Sequence, residues 1–134
     1  MAVVKSFLAG FLATIFFHQP MLFLLKLSGI TDRGPYNMQA VPPFGVPSVI
    51  SLAFWGGVWG IVLWLLLRRR KASTYWTIAL VFGAIAPTLV AAFVVMPLKN
   101  MPRPAGWQMP VLGLLVNAAW GLGTALFLRL FRTR

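Results

Sequence analysis

The side chains in this chain that could do chemistry are very few: a single histidine, His18, and a single acid, Asp32, with no cysteine. Paired carboxylates for acid and base work cannot be built from one acid. A Ser–His–Asp relay would have to join Asp32 to His18 across about 12 Å, far beyond hydrogen-bond reach. The lack of cysteine excludes disulfides, iron–sulfur clusters and thiolate zinc sites. Haem would find one axial histidine per chain, so a bis-histidine site would need a dimer. No enzyme and no bound cofactor is expected. The polar groups left for binding are His18, Gln19, Thr88 and Asn117. A second set, His18 with Met21, Met38, Met96, Met101 and Met109, has the soft donors that suit Cu(I). Methionine is equally an adaptable apolar filler of helix ends and loops, and no tight Met-x-x-Met spacing occurs.

The elements that would position these residues follow from the charge pattern. Twelve Lys and Arg stand against one acid in a chain that is 60% apolar. Nearly all of them lie at the ends of four uncharged stretches, Ser6 to Leu25, Gly34 to Leu67, Ala72 to Leu98 and Pro104 to Leu128. A bilayer core about 30 Å thick takes roughly 20 helical residues, so each stretch can cross once. The Pro and Gly cluster from Gly34 to Pro47 cannot be regular helix, and the second span is confined to the residues after it. Backbone groups in hydrocarbon must pair internally, and no strand alternation suggests a barrel. The expected fold is an all-α integral membrane protein: one domain over residues 1–134, four transmembrane helices at about 5–27, 47–68, 74–98 and 109–131, arranged as two helical hairpins. The first span runs through Leu25 without a small-x-small cleavage site and is read as retained.

Orientation comes from where the cations fall. One side holds Lys5, Arg68, Arg69, Arg70, Lys71, Arg129, Arg132 and Arg134, and the other Lys26, Arg33, Lys99 and Arg103 with Asp32. The positive-inside rule places the richer side, and with it both termini, in the cytoplasm. The same distribution argues against nucleic acid as a partner, since the cations form a hairpin link and two short tails rather than a patch on a folded surface. The Arg68 to Lys71 cluster attracts anionic lipid at about 1 kcal/mol per cation near the surface. A compact chain with basic cytoplasmic edges and no organelle-type targeting feature points to a bacterial inner membrane, as a multi-pass protein.

Small residues four apart mark the packing faces, because they let helix backbones approach closely where no hydrophobic effect operates. The stripes are Ser6, Gly10 and Thr14 in the first helix, Gly56 and Gly60 in the second, Ala79 and Gly83 in the third, and Gly113, Asn117, Gly121 and Ala125 in the fourth. Whether these faces meet within a chain or between chains is open at this stage. The halves also resemble each other weakly, with Ala53-Phe54-Trp55-Gly56 matching Ala118-Ala119-Trp120-Gly121 and Gly10 matching Gly83, as a parallel repeat would. Trp64, Tyr75 and Trp76 suit the cytoplasmic interface and Tyr36 and Trp107 the outer one, while Trp55, Trp59 and Trp120 are assigned to the core. Pro20 and Pro87 fall inside helices and are expected to kink them.

By depth, His18 and Asn117 lie about 12 and 10 Å below the outer helix ends. Both are expected to face the bundle interior, with Gln19 and Thr88 near. Interhelical hydrogen bonding is one use of such a cluster, a ligand or solute site the other. The four-helix small multidrug exporters are of similar size but use a membrane Glu that this chain lacks. The two Pro-rich outer connections serve either as stiff links or as a cap over the bundle mouth. Three functions stay open: a non-enzymatic membrane module that associates with itself or with partner membrane proteins, a small-solute transporter or channel subunit with an outer-half cavity at His18 and Asn117, and copper handling through His18 and the outer methionines.

Overall fold

The computed structural model describes residues 1–102 and 106–133. Arg103 and Pro104 of the second connection and the terminal Arg134 lie outside the described residues. Four helices long and apolar enough to cross a membrane run Ala2–Leu27, Ser48–Leu67, Ala72–Leu98 and Gln108–Leu130. The shortest has 20 residues, about 30 Å at the usual rise. The first and third helices each contain one wide π turn, at Thr14–His18 and Ala91–Val95.

The π turns lie where proline demands them. Pro20 and Pro97 each stand two residues beyond the end of a π turn. In the first, the Gln19 N–H reaches back to Thr14 O instead of Ile15 O, and Pro20 has no N–H to offer. Ile15 O is thereby deprived of both neighbouring donors. Pro97 follows the Met96 N–H, which bonds Ala91 O in the same way. Pro87 stays within regular helix.

The connection between the first two helices is built rather than loose. A two-residue antiparallel ladder pairs Ala40–Val41 with Val46–Pro47, a hairpin absent from the sequence-based expectation of a purely irregular link. It brings Gln39 O and Asn37 O onto the N–H groups of Ser48 and Val49, at 2.8 and 2.9 Å. Donors that a helix start leaves free are thus satisfied by loop carbonyls, which is needed because no side chain caps this helix.

The first helix packs on the second and the fourth, and the fourth also carries the third. The second and third touch lightly, and the first and third do not meet among the described residues. Each hairpin closes at a glycine crossing. A methyl group on Gly10 would overlap the Gly56 carbonyl and stand 2.9 Å from Gly60 Cα. One on Gly83 would stand 2.7 Å from Gly121 Cα and 3.1 Å from Asn117 O. The small-residue faces therefore meet inside one chain. Around them lies a buried cluster that includes Ala9, Ala13, Leu63, Leu67, Ala79, Trp120 and Leu128, with a smaller one at Leu25, Leu112 and Val116.

Two expectations about the aromatic residues need correction. Spatially, Ser6 O faces Gly60 as Ala79 O faces Gly121, so Trp59-Gly60, not Trp55-Gly56, is the counterpart of Trp120-Gly121. The sequence repeats Trp-Gly one helical turn apart, and either register fits the pattern. Trp55 is 58% exposed and points away from the core, against Phe54, whereas Trp120 is 2% exposed at its centre. At the far end, Lys5 Nζ donates to Phe131 O at 2.9 Å and Leu67 and Arg68 adjoin Leu128 and Arg129. Both ends of the chain and the link at residues 68–71 thus share one end of the bundle.

Candidate functional site

The four polar residues singled out from sequence sort into two separate pairs. On the first helix, Gln19 is buried and His18 half-buried, with Gln19 Nε2 and His18 Nδ1 3.2 Å apart. Gln19 Oε1 accepts the backbone N–H of Tyr36 at 2.7 Å. The Tyr36 hydroxyl donates to Ile15 O at 2.9 Å, the carbonyl left without a helical donor by the π turn and Pro20. Tyr36 holds a left-handed backbone, φ 55°, which costs a non-glycine residue about 1–2 kcal/mol. These two hydrogen bonds offset it, and they pin the outer connection to the first helix directly over His18 and Gln19.

The second pair joins the third and fourth helices. Asn117 Nδ2 donates to Thr88 Oγ1 at 2.9 Å, and Thr88 Oγ1 donates to Ala84 O at 2.6 Å. Gly113 lies one turn away and leaves room for Thr88, whose Cγ2 would stand 3.0 Å from a methyl placed there. Among the described residues no hydrogen bond joins this pair to His18 and Gln19. Sequence depth placed all four at one level, but depth fixes only height along the bundle; the helices that carry His18 and Thr88 are not neighbours.

The glycines singled out for packing, Gly10, Gly56, Gly60, Gly83 and Gly121, occupy the two crossings described above. There the exposed Gly10 carbonyl does more than pack: it accepts both Trp120 Nε1–H, at 3.0 Å, and Thr14 Oγ1–H, at 3.1 Å. That junction ties the first, second and fourth helices together, and the sequence gave no hint of the indole bond. The methionines are dispersed in role. Met21 and Met109 pack against the Leu25, Leu112 and Val116 cluster, Met96 is half-buried, and Met38 and Met101 are exposed. Asp32 is exposed, and the local turn is made instead by the Arg33 N–H donating to Thr31 Oγ1 at 3.1 Å.

The end of the bundle that carries both chain ends contains a feature that single-residue reading missed. A cleft of about 460 Å³ opens there between the ends of the second and fourth helices and the start of the third, lined in part by Arg68, Arg70, Arg129 and Arg132. The signal was present as two basic runs far apart in sequence; only the antiparallel return of the fourth helix brings them together. The chain matches no known protein family, no curated protein and no solved structure.

Proposed function

We propose that this chain is a non-enzymatic, multi-pass module of a bacterial inner membrane, with its basic end in the cytoplasm, that associates with other membrane helices, copies of itself among them. The observation that carries this reading is the uneven cover of the four helices. Only 11% of the third helix's apolar window is buried, against 44% for the fourth. Leu80, Val81, Ile85 and Leu89 lie exposed along it, beside a shallow apolar groove of about 390 Å³ lined by residues from Thr77 to Ala86.

Because the glycine crossings are used within the chain, association falls to this outer face rather than to the Gly10 and Gly121 faces. The polar pairs support the non-enzymatic part of the reading, since His18, Gln19, Thr88 and Asn117 all bond to protein groups. A second reading, solute passage, draws on the half-buried His18 beneath the pinned Tyr36, and would show as flux lost in His18→Ala.

The test is energy transfer between labelled copies in liposomes across protein-to-lipid ratios. Transfer should rise with ratio beyond random proximity and fall in Ala86→Phe, which fills the groove. Transfer at the random level for wild type, together with no effect of Ala86→Phe, refutes self-association through this face.

A further inference from the structure

We propose that the basic cleft at the end of the bundle holding both chain ends is a binding site for a phosphate group, supplied by a lipid headgroup or a soluble phosphate ester. Arg68, Arg70, Arg129 and Arg132 line it. The chain's one acidic side chain, Asp32, lies in the connection at the opposite end, so no carboxylate side chain can balance these cations. Guanidinium forks match phosphate oxygens in pairs, which makes arginine the residue suited to that geometry. The cleft volume falls in the range of about 300–1,000 Å³ that small-molecule sites occupy.

Several independent features show the cations held in place rather than trailing in solvent. The Arg129 guanidinium lies 4.7 Å from the Tyr75 ring centre and 5.2 Å from that of Trp76. Tyr75 is itself fixed by donating to Ala125 O at 2.7 Å. Arg68 lies 5.4 Å over Trp64, and Arg70 Nε donates to Leu66 O at 3.3 Å. Stacking of this kind limits the freedom that a bound anion would otherwise have to take away. Thr133 also lines the cleft, and its Oγ1 is buried with no hydrogen-bond partner among the described residues. A buried hydroxyl without a partner is rare and invites a ligand atom. The third helix begins at the same place with no side-chain cap and no acid in its first turn, leaving N–H groups and the positive end of its dipole for an anion.

Arg132 adds the most particular clue. Three helices of this chain end in the same motif, with the N–H of one residue bonding a carbonyl three back and the next N–H a carbonyl five back. The residue at the turn has positive φ in each: Gly29 at 79°, Asn100 at 52° and Arg132 at 49°. Glycine and asparagine are the usual occupants, because a side chain with Cβ is strained there. The fourth helix keeps an arginine in the strained position, beside three others.

The experiment uses the full chain in detergent and native mass spectrometry, titrating phosphatidylglycerol, phosphatidylcholine and glycerol phosphate. One phosphatidylglycerol should be retained, about tenfold more tightly than phosphatidylcholine. Arg129→Gln and Arg132→Gly should each weaken it about tenfold, as expected for losing charge-assisted hydrogen bonds. Arg132→Gly also relieves the backbone strain, so an undiminished unfolding midpoint separates lost binding from lost fold. Arg69→Gln and Lys71→Gln remove the same charge from the same end without lining the cleft, and should change affinity by less than about twofold, since diffuse attraction alone is shared among all the cations. Displacement of the lipid by glycerol phosphate assigns the soluble source, and failure to displace it the lipid source; either supports the site. Equal losses in all four variants, or no retention of any of the three probes, overturn it.

Discussion

Replacing Gly10 with alanine should destabilise the bundle by about 1–3 kcal/mol, although alanine is the better helix former. The new methyl would overlap Gly56 O and stand 2.9 Å from Gly60 Cα, both backbone atoms that cannot rotate aside. Ordinary carbon contact needs about 3.5–4.0 Å, so the first two helices must part by about 0.6–1.1 Å. Overpacking of that kind costs about 1–3 kcal/mol. The same displacement stretches the Trp120 and Thr14 hydrogen bonds to Gly10 O, which are worth about 0.6 kcal/mol each in a membrane. Better helix propensity returns about 1 kcal/mol. Gly113→Ala is the control: its methyl would meet only the Thr88 side chain, at 3.0 Å, and the expected change lies within about 1 kcal/mol of zero. Reversible unfolding in mixed detergent micelles, followed by tryptophan fluorescence, measures both. If Gly10→Ala proves as stable as wild type, or no worse than Gly113→Ala, the crossing does not set the helix spacing and the reasoning fails.

Two further outcomes follow from hydrogen bonds that the fold creates. Tyr36→Phe should cost about 0.5–1.5 kcal/mol by leaving Ile15 O unpaired. In Pro20→Ala, which restores an N–H beside that carbonyl, the same substitution should cost less; a double-mutant cycle in the same unfolding assay showing zero coupling would contradict the link between Pro20 and Tyr36. Trp120→Phe should cost more than Trp55→Phe by at least about 0.6 kcal/mol, because only Trp120 donates to Gly10 O. Equal costs would mean that the indole bond adds nothing to the junction.

What the sequence made legible was whatever a single helix can express alone. Runs free of charge announced four spans, and Pro and Gly marked the connection that could not be helix. Small residues at four-residue spacing marked Gly10, Gly60, Gly83 and Gly121 as positions where a backbone could come close. Partnership between helices was not legible. The Trp-Gly repeat permitted two registers one turn apart, and Trp55 and Trp59 differ in local sequence too little to say which faces lipid. The bond from Trp120 to Gly10 O joins residues 110 apart, and nothing local to either announces it.

The candidate sites divide along the same line. His18 and Gln19 were conspicuous because polar groups in a span are costly, yet the structure supplies them with partners in each other and in Tyr36. The arginines at residues 68–71 and 129–132 were inconspicuous, because basic ends are what membrane topology requires of any such chain. Topology explains that cations lie at this end; it does not require four of them around one cleft, two stacked on aromatic rings and one on a strained turn. Orientation would be served as well by lysines trailing into water. The excess of order over what orientation needs is the physical reason to look for chemistry at the ends of this bundle rather than at its middle.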